Sequence, residues 1–286
     1  MFESTDTALS FRNIGIFDTN PLRQILGNVS GFVCRGGMTA ILGPSASGKS
    51  LLMSTLSGRV HNLQVTGDLF VEGDKVDHRD ISNAVGYVPQ EDLLVGILTA
   101  RETLFNSAAM KRNKTLEQIN EDVTRILEIL NLTDVADTSI GTIFKRGLSG
   151  GQKKRVEIGT ELIAAPPILF LDEPTSGLDA YIAYELLKSI RDIARASGGR
   201  LSVMLSIHQP NSRLLELFDH ILVLGNGTMN FFGTVAESIE HLRCIGYPAP
   251  RNYTPTDYFL QVSDRYFEGH GNVNFAGKEV IHYNNM

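Results

Sequence analysis

Residues 43–50 have the types and spacing that a phosphate-binding loop requires. Their sequence, GPSASGKS, satisfies the pattern G-x-x-x-x-G-K-[ST] at every specified position. The apolar run 38–42 before the loop is typical of a strand, and residues 51–56 after it have helical spacing and end before Gly58. Because the backbone N–H groups of such a loop and the start of the next helix form a concave anion site, the pattern predicts a site for nucleotide phosphates.

Two side chains of this loop have predicted roles of their own. We expect Lys49 to place a positive charge against the β- and γ-phosphates, and the Ser50 hydroxyl to ligate Mg²⁺. The alternative is a glycine- and serine-rich turn with a chance Lys-Ser pair, which the flanking strand and helix disfavour. The predicted phosphate-binding residues are Gly43, Pro44, Ser45, Ala46, Ser47, Gly48, Lys49 and Ser50.

Two adjacent carboxylates follow a second apolar run, residues 168–171. A buried strand there would place Asp172 and Glu173 at the carboxyl edge of a sheet, where open α/β sheets bind ligands. Since successive strand residues point in different directions, we expect Asp172 to hold the metal and Glu173 to act on an attacking water. The alternative interpretation is a helix N-cap before the turn at Pro174.

A third motif, LSGGQ at residues 148–152, distinguishes this chain from many GTPases and kinases that share the first two motifs. The sequence here resembles the ATP-binding cassette family, whose signature is LSGGQ. The residues alone indicate a second anion site, because a Ser-Gly-Gly stretch opens a predicted helix, although it carries no lysine of its own. The resemblance implies nucleotide contacts from Leu148, Ser149, Gly150, Gly151 and Gln152.

Three further motifs follow the order of the cassette family. Residues 87–92 are similar to its Q-loop, residues 176–179 to its D-loop and residues 206–210 to its switch-histidine loop. Taken alone, Gln90 would be read as a surface-loop residue and His208 as a satisfied loop or core histidine, and their place in the set reverses both interpretations. The resemblance implies catalysis by Glu173, His208 and Gln90, metal binding by Ser50, Gln90 and Asp172, and nucleotide contact by Asp179.

The resemblance covers roughly residues 8–263 and narrows toward the White, or G, subfamily of cassette transporters. The segments 208–219 and 246–259 look like that group. Two departures are visible: Gln152 stands where the subfamily more often has glutamate, and residues 254–257, TPTD, stand where it more often has NPAD.

Strand and helix patterns alternate along the chain, which favours a mostly parallel α/β sheet. With the resemblance, the expected fold is an α/β P-loop NTPase cassette with a mostly parallel core sheet, an antiparallel N-terminal β subdomain and a helical signature subdomain at about residues 91–165. Residues 1–263 are the expected ATP-binding domain, and 264–286 are an expected polar, flexible tail. The predicted strands are residues 8–14, 31–34, 38–42, 67–71, 84–88, 168–171, 201–207, 221–224 and 229–232; the predicted helices are 51–56, 99–110, 116–130, 152–165 and 180–196.

Composition sets wider limits on function. The 286 residues are 42% hydrophobic and 20% charged, as in an ordinary globular protein, and the net charge of -6 gives nucleic acid no general attraction. Cys34 and Cys244 lie far apart in sequence, which favours a reducing compartment. The N-terminus lacks a signal-peptide pattern and the apolar runs are short, so we expect the chain as given not to cross a membrane.

The expected function is ATP binding and hydrolysis that powers transport of an unknown substrate, with ATP and Mg²⁺ as ligands. The expected partners are a second cassette, facing head to tail, and a transmembrane transporter domain, with no nucleic acid, at the cytosolic face of a membrane. A soluble non-transport ATPase of the same superfamily is the alternative. A catalytically silent binding subunit is disfavoured because Lys49, Asp172, Glu173 and His208 are all present.

Two aromatic features carry further predictions. Phe17 is the nearest candidate for stacking on adenine, and a buried or turn aromatic is an equally good interpretation of it. The segment 246–262 is expected to dock on the cassette through its aromatic anchors Tyr247, Tyr253, Tyr258 and Phe259.

Overall fold

The computed structural model describes residues 6–19, 22–111, 114–142, 144–251, 254 and 256–259. The strands in these ranges are β1 Thr7–Thr19, β2 Leu22–Cys34, β3 Met38–Leu42, β4 Leu63–Val71, β5 Asp74–Val76, β6 Val85–Val88, β7 Ile168–Leu171, β8 Ser202–Ile207, β9 His220–Gly225 and β10 Thr228–Gly233. The α-helices are α1 Lys49–Leu56, α2 Ala100–Lys111, α3 Leu116–Ile129, α4 Gly150–Leu162, α5 Ala180–Ala196, α6 Ser212–Leu215 and α7 Val235–Cys244.

The described strands form one sheet in the order β5-β4-β1-β2-β10-β9-β3-β8-β7-β6. From β9 to β6 every neighbouring pair is parallel, whereas β1, β2, β4 and β5 pair antiparallel. A single parallel bridge, Thr228 to Gly27, joins the two parts through β10. The predicted α/β cassette fold, with a parallel core and an antiparallel N-terminal part, is therefore confirmed.

The parallel strands are mostly apolar because helices or β-strands cover both of their faces. In β7, Leu169 and Leu171 face the cluster that includes α2 to α5, whereas Ile168 and Phe170 face the cluster formed with α1, β1 and β2. This alternation follows from the two-residue period of a strand. The strand ends nearest the site are thus held from both sides.

Helices α2, α3 and α4 pack together, as the predicted helical subdomain requires. Gly159 permits the close approach of α4, since a Cβ there would meet Leu104, Leu130 and Ile126 at 2.8 to 3.1 Å. Helix α4 begins at Gly150, two residues before its predicted start, because Ser149 and Gln152 form a reciprocal capping box. Thr99 and Glu102 form a capping box at the start of α2 in the same way.

Several predicted element boundaries are wrong. Helix α1 begins at Lys49, inside the predicted loop, and β1 and β2 extend to Thr19 and Leu22, far beyond the predicted short strands. The pattern missed β5, α6 and α7 altogether. The strands were underestimated because β1 and β2 contain register shifts, which break the apolar alternation that predicts a strand.

The described part of the C-terminal segment packs on the core. Phe259 is 3% exposed, and Tyr247 and Tyr258 pack against the same cluster. Tyr253 and residues 260–286 lie outside the described residues. No helix in the described ranges has both the length and the apolar character needed to cross a bilayer.

Candidate nucleotide-binding site

The phosphate loop, residues 43–50, connects β3 to α1 in a conformation that its glycines permit. Gly43 has φ 153°, and a Cβ there would lie 2.3 Å from the Leu224 carbonyl oxygen. Gly48 has φ 101°, in the left-handed region, and a Cβ there would meet Leu26 Cδ1 at 2.7 Å. A side chain at either position would therefore collide with these neighbours and displace the loop backbone.

Helix α1 differs from the other described α-helices at its N-terminus. Its N-cap is Gly48, and no side chain caps its first turn. Its first N–H groups are therefore available to an anion, and the helix dipole favours negative charge at that end. The remaining described helices are capped by Thr99, Thr115, Ser149, Asp179, Asn211 and Thr234.

Lys49 lies at the centre of the loop and is 4% exposed. Its Nζ donates to the carbonyl oxygens of Gly43, at 2.8 Å, and Pro44, at 3.0 Å, and lies 3.8 Å from Glu173 Oε1. Burial lowers the pKa of Lys49, and the charges of Glu173 and Asp172 oppose that decrease. The lysine is thus a cation held between the loop and the two predicted carboxylates.

Asp172, at the end of β7, is 6% exposed and is surrounded by hydroxyl groups. Its Oδ1 accepts hydrogen bonds from Ser206 Oγ, at 2.6 Å, and Ser50 Oγ, at 3.0 Å, and its Oδ2 accepts one from the Tyr87 hydroxyl, at 3.3 Å. Burial raises the pKa of Tyr87, and the charge of Asp172 adds to that rise. The hydroxyls fix the carboxylate beside the first turn of α1.

The donor set fits Mg²⁺. Asp172 and Ser50 supply a carboxylate and a hydroxyl within hydrogen-bond distance of each other, and both are the hard oxygen ligands that Mg²⁺ prefers. The described residues hold no group of three or more His, Cys, Asp or Glu side chains that would form a metal cage. This pattern is typical of a Mg²⁺ ion that phosphates share with one or two protein ligands. Ser47, which is 3% exposed, adds a buried hydroxyl in the loop that makes no hydrogen bond to described residues.

Glu173 follows Asp172 in a left-handed conformation, with φ 45°. Its backbone N–H donates to Ser206 Oγ at 2.8 Å, and its Oε2 accepts from Gln90 Nε2 at 3.0 Å. Its side chain is 19% exposed, so it is accessible to water. A positive φ at a non-glycine residue costs about 1–3 kcal/mol, and such strain concentrates at functional sites.

The predicted switch histidine reaches the same loop from β8. His208 is exposed, and its Nε2 lies 3.4 Å from Ser45 Oγ. Gln209, the next residue, also has a positive φ, 46°. The carboxyl ends of β3, β6, β7 and β8 therefore bring together the phosphate loop, Gln90, both carboxylates and His208.

The signature does not join this group. Ser149 and Gln152 bond to each other's backbone N–H, while Gly150 and Gly151 approach Leu178 and Ile182 beside α5. Within the described ranges, no hydrogen bond or ion pair connects residues 148–152 to the phosphate loop.

The D-loop aspartate is also apart from the phosphate loop. Asp179 Oδ1 accepts from the N–H groups of Tyr181 and Ile182, at 3.0 Å each, and so caps α5. Its predicted nucleotide contact remains a prediction, and the described geometry gives it a structural role at the start of that helix.

Comparison with known proteins decides the family. The family described as ABC transporter matches residues 26–176, which is more than half of the chain. The chain belongs to the ABC transporter family. The predicted membership and the predicted enzyme class, an ATP hydrolase of that family, are confirmed.

Relatives of this ABC cassette place it near the G subfamily, as predicted. ABC transporter G family member 24 of Dictyostelium discoideum is 42% identical over 82% of this chain and 21% of its own length. The broad substrate specificity transporter ABCG2 of Rattus norvegicus is 38% identical over 84% and 36%, and sub-family G member 8 of Homo sapiens is 37% identical over 82% and 35%. The chain spans about one fifth to one third of these relatives.

Two solved structures share the fold of the ABC cassette. One is an ATP-binding cassette of an ABC transporter in its ADP conformation, with a TM-score of 0.68 and 24% identity over 82% of this chain and 94% of that one. The other is cbiO1 from Clostridium perfringens, part of an ABC transporter complex, with a TM-score of 0.70 and 23% identity over 84% and 93%.

Tyr87 and Ser206 lie within the predicted Q-loop and switch-histidine loop of the ABC cassette, and the sequence alone predicts no role for either. Both side chains bond to Asp172, and Ser206 also accepts from the Glu173 backbone. A polar residue inside an otherwise buried strand is a signal for such a role, because a buried hydroxyl requires a partner. Phe17 lies half-buried in β1, opposite Gln24, and its stacking on adenine remains a prediction.

Proposed function

We propose that this ABC cassette binds Mg-ATP at the phosphate loop and hydrolyses it in a head-to-tail dimer, thereby driving a transmembrane transporter domain from the cytosolic face of a membrane. The observation that supports this most strongly is the uncapped N-terminus of α1, which begins at Lys49 and lies beside Asp172 and Glu173. An anion site, a cation and two carboxylates with different surroundings are the parts that phosphoryl transfer requires.

Each side chain has a defined part in this reaction. The N–H groups of the loop and Lys49 bind the β- and γ-phosphates, and Asp172 and Ser50 would hold Mg²⁺, which neutralises phosphate charge when bound. Glu173 orients the attacking water and accepts its proton, while Gln90 holds the carboxylate in place. The water oxygen bonds to the γ-phosphorus as the bond to the β–γ bridging oxygen breaks.

The second cassette is proposed because the signature lies apart from the phosphate loop of its own chain. The signature opens on a cavity of about 410 Å³, whose lining includes Lys145, Arg146 and Lys153. A positively charged wall beside a helix N-terminus fits the triphosphate bound by another copy. Each of two sites would then use one phosphate loop and one signature.

A mixing experiment tests this shared site. Lys49→Ala disables the phosphate loop, and Gly150→Asp places a negative charge in the signature. The nearest atom to a Cβ at Gly150 is Leu178 Cδ2 at 3.5 Å, so the position accepts a side chain. Each variant alone should be inactive, and their mixture should recover up to about one quarter of the wild-type rate, because random pairing leaves one complete site in half of the dimers.

Asn120→Asp is the matched control, since it adds the same negative charge at an exposed position of α3 and should keep its ATPase activity. If the two disabled variants stay inactive when mixed, while each still forms the dimer, the shared-site proposal fails. Full activity of Gly150→Asp alone would also contradict it.

A further inference from the structure

Helix α4 carries a buried ion pair one turn beyond the signature. Lys154 Nζ lies 2.5 Å from Glu157 Oε2, and the two side chains are 11% and 7% exposed. The pair lies on a helix that packs against β6. Because burial of two charges costs free energy unless both have further partners, the surroundings of this pair are informative.

The further partners of the pair belong to the Q-loop, residues 87–92. Lys154 Nζ donates to the backbone carbonyl oxygens of Pro89 and Gln90, at 3.4 Å each. Burial raises the pKa of Glu157, Lys154 opposes that rise, and the charge of Asp92 adds to it. The ammonium group therefore holds the Q-loop backbone, and the Glu157 carboxylate holds the ammonium group.

The Q-loop backbone has few other restraints. Within the described residues, no backbone–backbone hydrogen bond involves residues 89–94. Asp92 closes a local turn with the Leu94 N–H at 2.9 Å, and Leu93 is 72% exposed. The contact from Lys154 and the packing of Leu94 against the core therefore together restrain this segment.

The restrained segment includes the side chain that meets the predicted water-activating carboxylate. Gln90 Nε2 donates to Glu173 Oε2 at 3.0 Å. We propose that Lys154 and Glu157 together are positioning residues, which fix the Q-loop backbone so that Gln90 orients Glu173. This inference rests on the proposed ATP hydrolysis, and it assigns neither residue a contact with nucleotide.

A double variant separates positioning from simple structural support. Lys154→Met with Glu157→Leu replaces the pair by apolar side chains, an exchange that is often neutral or stabilising in buried ion pairs. We expect its thermal midpoint to equal or exceed that of the wild type, while kcat for ATP falls about 10- to 100-fold because Glu173 is misplaced. KM for ATP should stay within about twofold, because the loop contacts are unchanged.

Two further variants complete the series. Glu157→Gln alone should lower both kcat and the thermal midpoint, since it leaves Lys154 a buried cation without its partner. Lys154→Arg keeps a cation that can reach the same carbonyl groups, and it should retain most of the wild-type kcat. If the double variant has both the kcat and the thermal midpoint of the wild type, the pair has only a structural role and the proposal is wrong.

The control is a buried carboxylate in α3 that has two cationic partners and makes no contact with the Q-loop among the described hydrogen bonds and ion pairs. Asp122 in α3 pairs with Lys114 and Arg125, and its side chain is 12% exposed. Asp122→Asn should lower the thermal midpoint without changing kcat. An equal loss of kcat in this control would show that general destabilisation, and not the position of Gln90, explains the effect.

Hydrogen exchange gives a readout that does not depend on hydrolysis. In the full chain without added nucleotide, the Leu94 amide, which donates to Asp92 Oδ1 at 2.9 Å, should exchange faster in the double variant, while amides of β7 keep the wild-type rate. Unchanged exchange at Leu94 would overturn the positioning role. If the wild type bound ATP but never hydrolysed it, the proposed function would fail, and the exchange result would still decide whether the pair restrains the Q-loop.

Discussion

Glu173→Gln should separate nucleotide binding from hydrolysis in this cassette. The amide keeps the shape of the side chain, and its oxygen can still accept the hydrogen bond from Gln90. The bond from the Glu173 backbone to Ser206 is unaffected, so the left-handed turn should persist. The substitution removes one negative charge that lies 3.8 Å from Lys49 Nζ, and it makes the group that faces water much less basic.

Loss of the base sets the size of the effect on turnover. Removal of a general base lowers rates by about 10²- to 10⁴-fold, which corresponds to about 2.7–5.4 kcal/mol of activation free energy. The Coulomb attraction between Glu173 and Lys49 at this distance is of the order of 4 kcal/mol at an effective dielectric constant of about 20, and the partial exposure of Glu173 reduces it. Without the Glu173 charge, Lys49 interacts more strongly with the phosphates. The affinity of the variant for ATP should therefore equal or exceed that of the wild type.

The substitution also changes the pH dependence of binding. Burial lowers the pKa of Lys49, and Glu173 is the first of the groups that raise it again. Without that carboxylate the lysine should lose its charge at a lower pH. The affinity of the variant for ATP should therefore fall earlier than that of the wild type as the pH rises.

A phosphate-release assay measures hydrolysis, and size-exclusion chromatography with Mg-ATP measures the nucleotide-bound dimer. The variant should accumulate as an ATP-bound dimer while releasing little phosphate. Glu128→Gln, an exposed position on α3, is the matched control and should behave as the wild type. Hydrolysis by Glu173→Gln at the wild-type rate would refute the assignment of the catalytic carboxylate.

Three other predictions follow from individual contacts. Asp172→Asn should weaken the apparent Mg²⁺ affinity by at least about tenfold, seen as a smaller difference between calorimetric titrations of ATP with and without Mg²⁺; an unchanged difference would exclude Asp172 as a ligand. Gly43→Ala should lower stability by about 1–3 kcal/mol in urea unfolding, because its Cβ would meet the Leu224 carbonyl oxygen at 2.3 Å, and a wild-type midpoint would contradict the loop geometry. Burial lowers the pKa of His241, so the unfolded chain binds its proton more readily and stability should fall as the pH drops below about 6.5; His241→Phe should remove part of that slope in thermal melts, and an identical slope would contradict the burial.

The phosphate loop could be predicted from sequence because its determinants are local. A glycine at each end, a lysine and a flanking strand and helix lie within twenty residues, and the conformation depends on φ angles that only glycine adopts easily. The strand before Asp172 could be predicted equally well, since both of its faces are apolar.

The contacts between distant motifs could not be predicted in this way. Tyr87 and Ser206 meet Asp172 because β6 and β8 flank β7, and the order of strands in a sheet is not encoded in any local pattern. Lys154 and Glu157 have the spacing of a solvated pair on a helix surface, and their burial depends on the Q-loop that packs over them. The same pattern therefore predicts an exposed pair and a buried one equally well.

Calorimetric titration with a non-hydrolysable ATP analogue and Mg²⁺ shows whether the nucleotide binds at the phosphate loop. Lys49→Ala removes the buried cation of the phosphate loop, whereas Lys188→Ala removes the same charge from an exposed position on α5. We expect the wild type and Lys188→Ala to bind the analogue equally, and Lys49→Ala to bind it about 10- to 100-fold more weakly because charged hydrogen bonds to phosphate are lost. Equal affinity of all three proteins would contradict the placement of the nucleotide at this loop.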